Sequence, residues 1–224
     1  MNSSFPALAL IGDIHGRYNA LMAVLAAARA HGITDGICTG DIVMRGPEPS
    51  RCVARLRALG WPTVTGNTDR KVAAGNPRPP EHAASSRVGS RSWSYRRLGE
   101  DELEWLKSLP LVVRLAFGGA RVVVTHGDAD SMPVAINADT SNRELERQLR
   151  AFDADILVLG HTHMAMLRTV RNGIVINPGA VGESRNPDWQ PRWGWLEATP
   201  DGVVAHLEIV DHPLAPQRDD APED

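Results

Sequence analysis

A chain of 224 residues, 42% of them hydrophobic, is long enough to bury one large α/β core or, less economically, two small ones. Its net charge of −3 excludes the basic excess of a dedicated nucleic-acid binder and leaves a nucleotide substrate open. The opening MNSSFPALALIG has no basic start and its apolar run breaks at Asp13, and no stretch reaches the roughly 18 apolar residues of a membrane span, so the sequence reads as a cytoplasmic protein without membrane association.

Short apolar runs then alternate with helical patterns. ALALIG (7–12) predicts a strand before an alanine-rich helix over 18–30, and GICTG (36–40) a second strand before a helix over 48–59. PTVTG (62–66) reads as a third strand, and this rhythm argues for parallel pairing through helical crossovers. Residues 73–92 carry three prolines and no periodicity, which predicts a long surface loop before helices near 92–108. LVVRLAF and ARVVVTHG flank Gly118 and Gly119 as a hairpin; a charged helix near 142–150 leads to the buried-looking strand DILVLG (155–160), and MAMLRTV and GIVIN complete a second sheet region. RWGWLEAT and GVVAHLEIV are two last strands, after which residues 211–224 read as a disordered acidic tail, leaving 1–210 as a single domain. Cys38 on a strand and Cys52 on a helix read as two reduced, inert thiols.

The polar residues fall at the ends of these strands. Asp13 and His15 follow the first, Asp41 the second, Asn67 the third, His126 the RVVVT strand, and His161 and His163 the DILVLG strand. Each cluster alone reads as a turn or as a structural histidine. Together, seven donors lie past the carboxyl ends of five strands, the edge where open α/β sheets bind ligands. Carboxylate, amide and imidazole donors without cysteine suit manganese first, with iron, nickel or zinc as alternatives, over magnesium or calcium. Seven are too many for one tetrahedral ion and suit two, with a carboxylate shared between them. Asp41 is the candidate for that role. Such an ion pair polarises a phosphoryl oxygen and acidifies a water.

The motifs GDIHG (12–16), GDIVMRG (40–46), GNTD (66–69), THG (125–127) and GHTH (160–163) resemble, in order, the five motifs of the calcineurin-like metallophosphoesterases. NPGAVGESR (177–185) is similar to a loop of their small bacterial phosphodiesterase branch. The resemblance implies an α/β fold of two mixed β-sheets packed face to face with helices outside. It also implies one metal on Asp13, His15 and His163, a second on Asn67, His126 and His161, and Asp41 bridging them. By the same resemblance Arg45 grips phosphate, so that Asp41, Asn67 and Arg45 form the catalytic set, with Arg45, Thr68 and Arg185 as candidate substrate contacts. Arg70, like Arg185, also reads as a plain surface residue.

Two departures refine the subtype. The phosphoprotein phosphatase branch places a histidine where this chain has Thr68 and an aspartate where it has Met44, a dyad associated with protonating the leaving oxygen. A threonine hydroxyl is a poor general acid, which favours substrates with good leaving groups and points to phosphodiesters. His82, in the long loop, is a candidate replacement acid. Trp189, Trp193 and Trp195 read as core and sheet-face residues ahead of a base-stacking platform.

The expectation is thus a dinuclear enzyme that cleaves small phosphodiesters or nucleotides by attack of metal-bound hydroxide, without a stable nucleic-acid partner and with a homo-oligomer left open. A phosphomonoesterase or dinucleoside polyphosphate hydrolase of the same superfamily is the nearest alternative. A non-catalytic scaffold with this fold is the second.

Overall fold

The computed structural model describes residues 6–75, 87–132 and 134–212. Strand β1 (Ala7–Ile11) leads into helix α1 (Tyr18–Ala30), β2 (Gly36–Cys38) into α2 (Pro49–Leu59), and a short helix α3 (Asn67–Ala73) follows. Helices α4 (Arg91–Tyr95) and α5 (Glu100–Ser108) precede the hairpin β3 (Val112–Phe117) and β4 (Ala120–Thr125). Helix α6 (Asn142–Phe152), β5 (Ile156–Val158), β6 (Met166–Val170), β7 (Gly173–Asn177), β8 (Arg192–Thr199) and β9 (Gly202–Ile209) complete the chain order.

These strands form two mixed sheets, ordered β2-β1-β8-β9 and β3-β4-β5-β7-β6. The pairs β1–β2, β4–β5 and β5–β7 are parallel, while β3–β4, β6–β7 and β8–β9 are antiparallel hairpins. Side chains alternate across a strand, and here both faces are covered, so the central strands are apolar throughout. Leu10, Ile37 and Leu196 of the first sheet meet Val122, Val124, Ile156, Val158 and Ile176 of the second. The opposite faces lie under helices: Ala9, Ile11 and Trp193 pack with α1 and α2, and Val123, Leu157 and Val175 with Leu145 and Leu149 of α6. The layers therefore run helix, sheet, sheet, helix. Each buried aliphatic side chain contributes about 1.5–3 kcal/mol, which makes the two sheets a firm base for the loops at their carboxyl ends.

The sequence expectations differ from the structure in two places. The strand expected over 62–66 supplies only a bridge from Thr63 to Cys38, because Thr65 turns its N–H to the Pro110 carbonyl at 2.9 Å. The residues after it coil into α3, which the turn-forming GNTD had concealed. The last two strands extend the first sheet: β8 inserts beside β1, antiparallel, and carries β9 at the edge. Most of the expected long loop (76–86, with His82) and of the tail (213–224) lies outside the described residues. No helix among the described residues is long and apolar enough to cross a membrane.

Candidate metal centre

The ends of β1, β2, β4 and β5, with the start of α3, converge on one buried cluster. Of the nine non-glycine residues with positive φ among those described, Asp13, His15, Asp41, His161 and His163 are five, and Met44 and Arg45 are two more. Left-handed backbone is unfavourable for side chains of this kind and persists where the surroundings over-determine it, a feature of functional loops. Close approach fixes the flanking glycines: a Cβ on Gly66 would lie 2.1 Å from Asp41 Oδ1, and one on Gly12 would lie 1.8 Å from Thr39 Oγ1.

On one side, Asp13, His15, Asp41 and His163 place one donor atom each within 4.8 Å of one another, all buried. His15 Nε2 is 3.1 Å from His163 Nε2, and His163 Nε2 is 3.3 Å from Asp13 Oδ1. On the other side, Asn67 Oδ1 is 3.2 Å from His126 Nε2 and 3.1 Å from His161 Nδ1. Asp41 stands between them. Its Oδ1 accepts the Thr68 N–H at 2.9 Å, while Oδ2 lies 3.6 Å from His15 Nε2 and 3.5 Å from His126 Nε2. One oxygen thus lies near both groups while the other is held by the main chain.

The donor arrangement fits cations. His126 Nδ1 donates to the Thr39 carbonyl at 2.8 Å and His163 Nδ1 to the Glu183 carbonyl at 2.8 Å, so in the neutral rings both Nε2 atoms carry lone pairs. Those lone pairs point at other acceptors, Asn67 Oδ1 and Asp41 Oδ2 for His126 and Asp13 Oδ1 for His163. Both Asp13 oxygens are buried without a hydrogen bond. Buried acceptors aimed at one another are unfavourable unless a cation lies among them.

The charge states of the metal-free cluster are mixed. Burial pushes His15 down to about 3, which keeps its ring neutral and free to coordinate. Burial opposes charge on His126 as well, yet the Asp41 carboxylate outweighs it and lifts His126 to about 10. Burial alone would raise Asp41; His126, His15 and the Thr68 N–H together hold it well below the usual carboxylate range.

Two acids that the sequence reading passed over complete the surroundings. Asp69, fully buried, accepts the N–H groups of Ile42 at 2.8 Å, Val43 at 3.1 Å and Gly66 at 3.0 Å, tying the Asp41 loop to the start of α3. Burial and the nearby Asp41 push it up to about 7. Its sequence signal was its place three residues after Gly66, where an acidic side chain reaches back to a helix start. Glu183 accepts Arg45 Nη1 at 2.8 Å through Oε1, while its Oε2 lies 3.6 Å from His15 Nε2 and 3.7 Å from His163 Nδ1. Burial pushes Glu183 upward, opposed by Arg45 and His163. Asn177 supports the same region, donating to the Gly160 carbonyl at 2.6 Å and to Thr162 Oγ1 at 3.1 Å.

The other sequence candidates are placed as follows. Arg45 reaches the cluster through Glu183. Arg185 is exposed, its main-chain N–H lies 3.5 Å from the His163 carbonyl, and its charge acts on His163 and Glu183. Thr68, read as a substrate contact, is 2% exposed and donates its hydroxyl to the Val43 carbonyl at 3.0 Å, so its side chain braces the loop. Arg70 pairs with Asp128 and Asp130. His31 pairs with Glu208 and His206 with Glu197, partners outside the cluster. Trp193 is core, Trp195 stacks on His206, and Trp189 is exposed.

Two mixed sheets between helices, with an acid–imidazole cluster at their carboxyl edge that could hold a metal ion, define a metallophosphoesterase fold. The chain belongs to the calcineurin-like phosphoesterase superfamily, whose domain profile matches residues 7–194. It is similar to the uncharacterized protein MJ0912 of Methanocaldococcus jannaschii, 26% identical over 201 residues that cover 80% of this chain and 77% of that one. A metallophosphoesterase structure from Sphaerobacter thermophilus superposes with a TM-score of 0.75 at 26% identity, covering 93% of this chain and 89% of the other. The symmetrical bis(5'-nucleosyl)-tetraphosphatase of Erwinia tasmaniensis is 33% identical over 110 residues, 46% of this chain and 38% of that enzyme.

Proposed function

We propose that the protein is a dinuclear metal-dependent phosphodiesterase acting on small phosphodiesters or nucleotides in the cytoplasm, with manganese as its first-choice metal. The observation that carries this reading is Asp41 Oδ2, 3.6 Å from His15 Nε2 and 3.5 Å from His126 Nε2, one oxygen common to two donor groups. Asp13, His15 and His163 would hold one ion, Asn67, His126 and His161 the other, and Asp41 both. Divalent ions bound there supply Lewis acidity toward a phosphoryl oxygen and a nucleophile at neutral pH.

The chain's own residues do the rest. Arg45 would orient the phosphate through its guanidinium, a planar fork of five donors. The Thr39 and Glu183 carbonyls fix the tautomers of His126 and His163. Asp69 and the Thr68 N–H hold Asp41 in place. The Thr68 hydroxyl is engaged with the Val43 carbonyl and is not placed to protonate a leaving oxygen. Cleavage without that acid favours esters whose leaving group departs as a stable anion.

Purified protein loaded with manganese should hydrolyse an aryl phosphodiester faster than the monoester of the same phenol; a clear monoester preference contradicts the diester reading. Similarity to the Erwinia tetraphosphatase over 110 residues favours one second reading, a dinucleoside polyphosphate hydrolase. Diadenosine tetraphosphate in the same assay decides between them.

A further inference from the structure

The functional reading gives the side chain of Glu183, a buried acid beside the cluster, no role. Glu183 is 8% exposed and lies in the loop between β7 and β8, against the Asp13–His15–His163 side of the cluster. Oε1 takes Arg45 Nη1 at 2.8 Å, and Oε2 accepts no hydrogen bond although it is buried. The pairing is built from both partners. Arg45 sits at φ 65, and its N–H is held by the Gly89 carbonyl at 2.6 Å. On the other side, the Glu183 carbonyl accepts His163 Nδ1 at 2.8 Å, so backbone and side chain of Glu183 are both anchored to the site. A carboxylate fixed beside a phosphate-orienting arginine subtracts one positive charge from the surface the phosphate meets.

We propose that Glu183 is a specificity-determining residue that selects monoanionic phosphodiesters over dianionic phosphomonoesters, by holding a fixed negative charge on Arg45 at the rim of the metal centre. The inference rests on the phosphoesterase reading and refines its substrate class. A diester carries one charge at neutral pH and a monoester close to two, so the additional charge on the monoester meets Glu183 a few ångströms away in a poorly solvated site. Like charges juxtaposed in this way act chiefly against the wrong ligand, with little loss for the right one.

The test uses Glu183→Gln, whose amide oxygen still accepts from Arg45, and Glu183→Asp, which keeps the charge. Calorimetry on the manganese-loaded protein measures inorganic phosphate at pH 8 and dimethyl phosphate as the dianionic and monoanionic probes. Glu183→Gln should bind phosphate about tenfold more tightly and dimethyl phosphate within about twofold of wild type, whereas Glu183→Asp stays near wild type for both. The monoester-to-diester ratio of kcat/KM should rise by a similar factor, with manganese content unchanged. Equal shifts for both anions, no shift for either, or loss of one manganese on Glu183→Gln would overturn the proposal; the last would make Glu183 a ligand. Should Glu183→Gln fail to fold, Glu183→Ala removes the same charge and is judged by the same ratio. If the wild type hydrolyses neither ester, the phosphoesterase reading falls, and the two binding affinities still decide the role of Glu183.

Discussion

The main-chain N–H of Thr68 donates to Asp41 Oδ1 at 2.9 Å, and this single bond leaves Oδ2 facing both donor groups. The residue that departs from the phosphatase pattern through its side chain therefore keeps a role through its backbone. Asp41→Asn should keep that bond by placing its amide oxygen on the Thr68 N–H, which turns an NH2 toward His15 and His126. Turnover should fall by more than about 100-fold and both metals should bind more weakly. Elemental analysis and steady-state kinetics check this, and activity near wild type would refute the bridging assignment.

Asp69 supplies an acceptor for three main-chain N–H groups, those of Ile42, Val43 and Gly66. Asp69→Ala leaves them buried and unpaired at about 1–3 kcal/mol each, so the variant should lose about 3 kcal/mol or more. Because the same bonds hold the Asp41 loop, metal affinity should drop roughly 10–100-fold. Chemical denaturation together with a metal titration separates the two effects; wild-type metal affinity in a folded Asp69→Ala protein would remove Asp69 from the support of the site.

Thr68→Val keeps the N–H to Asp41 and deletes the hydroxyl that bonds the Val43 carbonyl. Stability should fall by about 1 kcal/mol with kcat nearly unchanged. Thr68→His, the phosphatase-like substitution, must fit an imidazole where the present side chain is 2% exposed, and overpacking there costs about 1–3 kcal/mol. A gain in turnover on alkyl esters from Thr68→His would show that the loop rearranges to admit an acid.

How much of this was legible in the sequence depends on the range of the interaction. Six of the seven donors could be read because each follows a strand, and strand ends share an edge once the pairing is parallel; Asn67 instead opens α3 after a single bridge. Asp69 looked like a turn former because the same residue type ends turns and starts helices; its three N–H donors come from two segments that meet only in the fold. Glu183 lies in a loop without periodicity, and its partner Arg45 belongs to the far end of the chain. Likewise nothing local marks β8 as the neighbour of β1, since pairing across the length of a chain leaves no pattern in either segment.

Metal uptake should depend on pH with a definite sign. In protein stripped of metal, Asp41 keeps His126 protonated to about 10, and burial keeps Asp69 protonated to about 7. Coordination requires the neutral imidazole, and cations beside Asp41 favour ionised Asp69, so binding expels protons and affinity rises with pH across the neutral range. The same sign applies to stability: charged His126 favours the fold below its unfolded value of 6.5, and that contribution is lost as pH rises through about 10. Calorimetry in buffers of different ionisation enthalpy should register net proton release; proton uptake, or none, would contradict the assigned protonation states.

The central claim, two ions sharing Asp41, is tested most directly by metal stoichiometry in wild type and Asp41→Asn measured side by side on manganese-loaded protein. The account predicts two manganese ions per chain in the wild type, together with hydrolysis of an aryl phosphodiester, and loss of both ions and of activity in Asp41→Asn. One ion or none in an active wild type, or two ions retained in the variant, would contradict it; no metal and no hydrolysis after loading would leave a scaffold of this fold.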